Sequence, residues 1–164
     1  MKYLKYFENN SLSEDERQYH LDEIKSVFQD IIDDYNLEEI PDDLDYGDYS
    51  RPGIYYHISD FYDIAEKSRR DNGSLRRCQY ELTLYCPTEW TVDLDKEDPK
   101  YQIWSNYVKI IKQEVPEFVD RLQSIGYRSK YEELDQDILE LLVDDDEFTI
   151  QISLNGEKWG SNSL

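Results

Sequence analysis

Nine carboxylates run from Asp30 to Asp48 without an intervening Lys or Arg: Asp30, Asp33, Asp34, Glu38, Glu39, Asp42, Asp43, Asp45 and Asp48, with Tyr46 and Tyr49 among them. A second run of nine, Glu132, Glu133, Asp135, Asp137, Glu140, Asp144, Asp145, Asp146 and Glu147, is equally free of cations. Carboxylates at this density can hold a hard cation, move protons, or present negative charge to a basic surface. Spacing decides among these. An EF-hand loop needs D-x-[DN]-x-[DN]-G and a Glu at position twelve. Counted from Asp43, Gly47 comes one residue early and position twelve is Ile54, so the calcium register fails. Carboxylate pairs for glycoside hydrolysis need only a suitable separation, and 38 acids supply such pairs by chance. The electrostatic role is left. A formal net charge of −20 attracts basic partners and repels nucleic acid, phosphate and anionic membrane.

The other reactive side chains are sparse. His20 and His57 are the two histidines and lack metal-ligand spacing, so both read as exposed or structurally bonded. Neither a phosphate-binding Gly-rich loop nor a nucleophile elbow occurs. Cys78 and Cys86 fall in one strand pattern, roughly 26 Å apart at about 3.3 Å per residue, far beyond disulfide reach. They read as reduced cysteines of a cytoplasmic protein. Lys67, Arg69, Arg70, Arg76 and Arg77 form a basic interruption. It reads first as neutralisation of the acidic surroundings and second as an arginine-rich contact.

A helix is expected from about Ser13 to Tyr35. Ser13 and Glu16 make a capping-box pattern, and Glu14, Asp15 and Glu16 suit the positive end of the helix dipole. Leu21, Ile24, Phe28, Ile31 and Tyr35 form an apolar stripe, with Asp15, Asp22, Glu23, Asp30, Asp33 and Asp34 on the opposite side. Residues 36–53 read as an acidic loop. Ile54 to Ile58 and Cys78 to Cys86 alternate as strands, as does Phe148 to Leu154. Ser59 to Lys67 fits either a continued strand or a short helix, and Thr91 to Leu94 a short extension. A second helix begins at Asp98-Pro99, is kinked near Val115 by Pro116, and closes at Gly126. Ile138 to Val143 is either a hairpin arm or a short helix.

The expected fold is α+β: an antiparallel sheet of about four strands with two main amphipathic helices packed on one face, in the order α-β-β-α-(β)-β. Residues 1–160 form one domain and 161–164 a loose tail. Aromatic content of 14% and clear periodicities favour a folded chain despite its charge. No transmembrane run or signal-peptide-like apolar region is present, so the cytoplasm is the expected compartment.

The opening Lys2-Tyr3-Leu4-Lys5-Tyr6-Phe7-Glu8-Asn9, followed by an acidic amphipathic helix and short alternating strands, resembles small acidic uncharacterised proteins of tailed bacteriophages. The resemblance implies action in an infected bacterium's cytoplasm, where acidic decoys against defence or transcription machinery are a known class. It carries over no functional residue. The expected function is binding without a cofactor: an acidic surface inhibits or sequesters a basic, nucleic-acid-binding protein, as a DNA mimic would. An immunity- or antitoxin-like protein neutralising one toxin is the alternative, and a carboxylate-dependent enzyme comes third. The expected partner-binding residues are Asp30, Asp33, Asp34, Glu38, Glu39, Asp42, Asp43, Asp45, Tyr46, Asp48 and Tyr49, then Glu132, Glu133, Asp144, Asp145 and Asp146. Exposed tyrosines also offer a homodimer contact.

Overall fold

The structure, a computed structural model, describes residues 13–41, 52–60, 80–87, 97–131 and 147–154. Helix α1 spans Glu14–Tyr35. Ser13 Oγ accepts from the Glu16 amide at 3.2 Å while Glu16 returns a carboxylate to the Ser13 amide at 3.3 Å, so the capping box forms. Asn36, at φ 55°, ends the helix in the left-handed conformation, which asparagine tolerates better than most residues. Ile24, Phe28 and Ile31 are buried, as the stripe requires.

The second helical rod has three parts: α2 at Pro99–Lys109, a π-helical turn at Ile110–Glu114, and α3 at Val115–Ser124. Asp98 caps α2 by accepting from the Lys100 amide at 2.9 Å. Pro116 explains the π turn. Its nitrogen cannot donate, and its ring crowds the carbonyl one turn back. The wider turn absorbs one extra residue, with the Val115 amide reaching the Ile110 carbonyl. The rod therefore continues through the proline, and Tyr107, Ile110, Ile111, Val115, Phe118 and Leu122 all stay buried. Gly126, at φ 101°, turns the chain out of α3 into the next strand, a conformation that disfavours any side chain.

Strands β1 (Glu38–Glu39), β2 (Tyr55–Asp60), β3 (Tyr80–Tyr85), β4 (Tyr127–Lys130) and β5 (Glu147–Leu154) form one sheet in the order β1-β2-β3-β5-β4. The fold is α+β with the helices over an antiparallel sheet body, as expected. The sheet is mixed, however, and has five strands. Glu38 and Glu39, expected within a loop, form a two-residue strand parallel to β2. The Glu38 amide bonds the Ile54 carbonyl at 3.1 Å and the Ile40 amide bonds the Tyr56 carbonyl at 2.8 Å. The strand after the second helix is also displaced from expectation. It is β4, directly after Gly126, whereas Thr91 to Leu94 and Ile138 to Val143 lie outside the described residues.

Tyr56 and Ile58, Tyr80, Leu82 and Leu84, and Phe148, Ile150, Ile152 and Leu154 meet the helices in one core. Phe28 is its pivot, with ring centroids 5.6 Å from Tyr56 and 5.2 Å from Phe118. Burying one such ring contributes about 1.5–3 kcal/mol. Cys86 is a buried free thiol, and Cys78 lies outside the described residues. Among the described residues no helix is long and apolar enough to cross a membrane.

Candidate functional site

The side of α3 away from Val115, Phe118 and Leu122 carries Glu117, Asp120 and Arg121. Helical spacing forces this: residues three and four apart share a face, so an apolar 115-118-122 stripe leaves 117, 120 and 121 on the flanks. On α1 the same rule sets Asp30 and Asp34 one turn apart, flanking the buried Ile31. Where the two helices pack, these flanks face each other across an open groove of about 490 Å³, lined by Asp30, Asp34, Glu114, Glu117, Asp120 and Arg121.

Five carboxylates thus meet one guanidinium. Arg121 Nη1 lies 3.3 Å from Asp30 Oδ2, a partly exposed pair that solvent screens. Glu114, at the end of the π turn, accepts from Tyr35 Oη at 3.1 Å. Partial burial, then the hydrogen bond to Glu114, raises the Tyr35 phenol above its ordinary value, so it stays a donor. Lys109 Nζ stands 6.0 Å from the Tyr35 ring centroid, at the limit of cation–π range. The groove is a negatively charged trough between the two helical elements. It can take up cationic side chains.

Asp30 and Asp34 of the expected site lie in this groove. Asp33 is exposed beside it and accepts from Gln29 Nε2 at 2.9 Å. Glu38 and Glu39 are on the exposed edge strand β1, where Lys25 Nζ holds Glu39 Oε2 at 2.9 Å. That hydrogen bond is also the main reason the Lys25 amine is raised above its usual value. Asp42, Asp43, Asp45, Tyr46, Asp48, Tyr49, Glu132, Glu133, Asp144, Asp145 and Asp146 lie outside the described residues, as does the basic cluster from Lys67 to Arg77. Glu114, Glu117 and Asp120 were not anticipated. The signal that finds them is the polar flank of the second helix, read with the same period as its apolar stripe.

Glu23 is a correction to the expected outer ridge of α1. It is half-buried and accepts twice, from Tyr127 Oη at 2.7 Å and from Tyr19 Oη at 3.0 Å. Tyr127 Oη also meets His20 Nδ1 at 2.8 Å, and His20 is buried, which fits its reading as a structurally bonded histidine. The hydroxyl has one hydrogen. Given to the carboxylate, it leaves the oxygen to accept from His20, so His20 donates from Nδ1. Burial, then the bond to Glu23, pushes the Tyr127 phenol far above its ordinary value. His57 likewise has a structural role, donating from Nδ1 to the Ile40 carbonyl at 2.7 Å.

Among the described residues no cluster of three or more His, Cys, Asp or Glu side chains is arranged to hold a metal. Compared with known protein families, curated proteins and solved structures, the chain matches none.

Proposed function

We propose that the protein acts by binding, using the α1/α3 groove to engage a basic, nucleic-acid-binding protein and inhibit it, in the manner of a phage-type decoy. The observation that carries this reading is the convergence of Asp30, Asp34, Glu114, Glu117 and Asp120, from two helices, on one groove with a single guanidinium among them. Such a surface favours arginine and lysine side chains and repels nucleic acid itself. The helices present it on buried aromatic and aliphatic packing, so the charges are placed before the partner arrives.

The test separates the groove from the total charge. Asp34→Asn, Glu117→Gln and Asp120→Asn together remove three charges from the groove. Glu14→Gln, Asp15→Asn and Asp22→Asn remove three from elsewhere on α1. Both variants have the same net charge. Partners captured from a bacterial lysate by the wild-type chain are expected to be basic and salt-sensitive, and to be lost with the groove variant alone. Equal loss with both variants, or capture that does not change with salt, refutes the assignment. Protection against one toxin, with other basic proteins ignored, replaces it with the immunity reading.

A further inference from the structure

Among the described residues β4 is the outer strand of the sheet, and its exposed side chains reverse the local charge. Arg128 and Lys130 are exposed and project from the same side, two residues and about 7 Å apart. Their cross-strand neighbours on β5 are Ser153 and Gln151, both neutral. Among the described residues neither cation enters an ion pair. In a chain with 38 acids and 18 bases, two adjacent cations left to solvent need a reason. Between them Ser129, on the opposite side of the strand, has a buried hydroxyl with no hydrogen-bond partner. A buried hydroxyl without a partner carries a desolvation cost that a donor or acceptor brought beside it would relieve.

We propose that the open edge of β4 docks an extended acidic segment of a partner protein, added to the sheet as a sixth strand. Backbone hydrogen bonds would supply the register, as in other strand additions. Alternation then fixes the side-chain chemistry. Acidic residues at two alternate positions face Arg128 and Lys130, and a Ser or Thr between them stands beside Ser129, where cross-strand hydroxyl pairs are favourable. The recognised pattern is acidic–hydroxyl–acidic. A second copy of β4 does not fit this edge. Pairing in register, in either direction, brings Arg128 or Lys130 beside the same cations of the other chain, where like charges directly opposite are destabilising. The proposal is independent of the acidic groove, which takes the opposite charge on the helix layer.

The experiment uses the full chain and a nine-residue peptide alternating Thr and Glu. Three comparison peptides replace Thr by Val, replace Glu by Lys, or methylate every backbone nitrogen. Amide exchange at residues 128–130 reports occupancy of the edge, and titration reports affinity. The Thr-Glu peptide is expected to slow exchange at 128–130 and to bind more tightly than the Val-Glu version. Arg128→Glu with Lys130→Glu should weaken it about ten-fold while leaving the thermal melt in place. The N-methylated peptide should not bind. Edge cations that only keep other sheets away predict no protection by any peptide, which overturns the proposal. Unchanged affinity of the double variant or equal binding of the N-methylated peptide also overturns it. So does concentration-dependent protection of 128–130 without peptide, which would identify a second copy as the occupant. The Lys peptide separates the two sites, since binding at the groove leaves 128–130 unprotected.

Discussion

Replacing Tyr127 by phenylalanine removes one oxygen and leaves the ring in place. That oxygen bonds Glu23 Oε1 at 2.7 Å and His20 Nδ1 at 2.8 Å, and Tyr127 itself is wholly buried. A hydrogen bond to a charged group contributes about 1.5–3 kcal/mol, and a buried donor left without a partner costs about 1–3 kcal/mol. Glu23 keeps the Tyr19 hydroxyl, so its carboxylate is not stranded. His20, only 7% exposed, loses the Nδ1 partner. The two effects overlap, and we expect Tyr127→Phe to lose about 2–4 kcal/mol in urea unfolding. A double-mutant cycle with Glu23→Ala should show coupling of about 1 kcal/mol or more, because both groups share one hydrogen. Nitrogen chemical shifts of His20 in the wild type should show a protonated Nδ1. A loss below about 0.5 kcal/mol, within the range of an ordinary surface change, refutes the buried relay. A bare Nδ1 at neutral pH refutes the direction of its hydrogen bonds.

The capping box makes a simpler prediction: Ser13→Ala should destabilise the domain by about 1 kcal/mol, read as a lower urea midpoint with unchanged slope. The same tyrosine gives a pH dependence. Its phenol is raised in the folded state, so the unfolded chain loses that proton first. The stability this contributes is present in full below about pH 10 and is lost as pH rises through the folded value. Tyr35 and Tyr56 shift in the same direction, chiefly through burial, and add to the effect. In ultraviolet titration the wild type should ionise its last tyrosine only on unfolding, and Tyr127→Phe should lose that step.

Long, strongly periodic elements were legible in the sequence because a single rule placed them. Ser13, Glu16 and the Leu21-to-Tyr35 stripe locate α1, and Phe148 to Leu154 locates β5 by alternation. Pro116 marked an irregularity near Val115 in the sequence, but its form, a π turn at Ile110–Glu114 in a continuous rod, depends on packing on both sides. β1 was not. Two glutamates in an acidic run have no strand signal, and they pair only because Ile40 and Leu37 are buried on either side of them. β4 is equally silent, since Tyr-Arg-Ser-Lys has one apolar residue and takes its place from the turn at Gly126 and the pull of Tyr127 into the core. At the site, Asp30 and Asp34 were found because they fall in a dense run. Glu114, Glu117 and Asp120 were missed because Lys112 and Arg121 dilute them in sequence, and only the crossing of two helices brings them opposite the first pair.

The groove also shows what the overall charge leaves undecided. Asp30 and Asp34 are four residues apart on α1, which is about 6 Å of helix axis. Duplex DNA presents about one charge per 1.7 Å of axis, hence roughly four over that length. The groove supplies five carboxylates against the single Arg121 guanidinium, but Glu114 to Asp120 run about 9 Å along the second helix, over which duplex carries roughly five charges, so the net of four comes close to that density. A total of −20 spread evenly over the surface would not reach it, because 164 residues enclose far more area than one groove. On the proposed reading, a comparable density over so short a length would suit the few basic side chains at the centre of a nucleic-acid site. It falls short of imitating a long stretch of duplex. Inhibition by this surface would therefore work through local competition for arginine and lysine, with specificity set by the shape of the groove and by Arg121 within it.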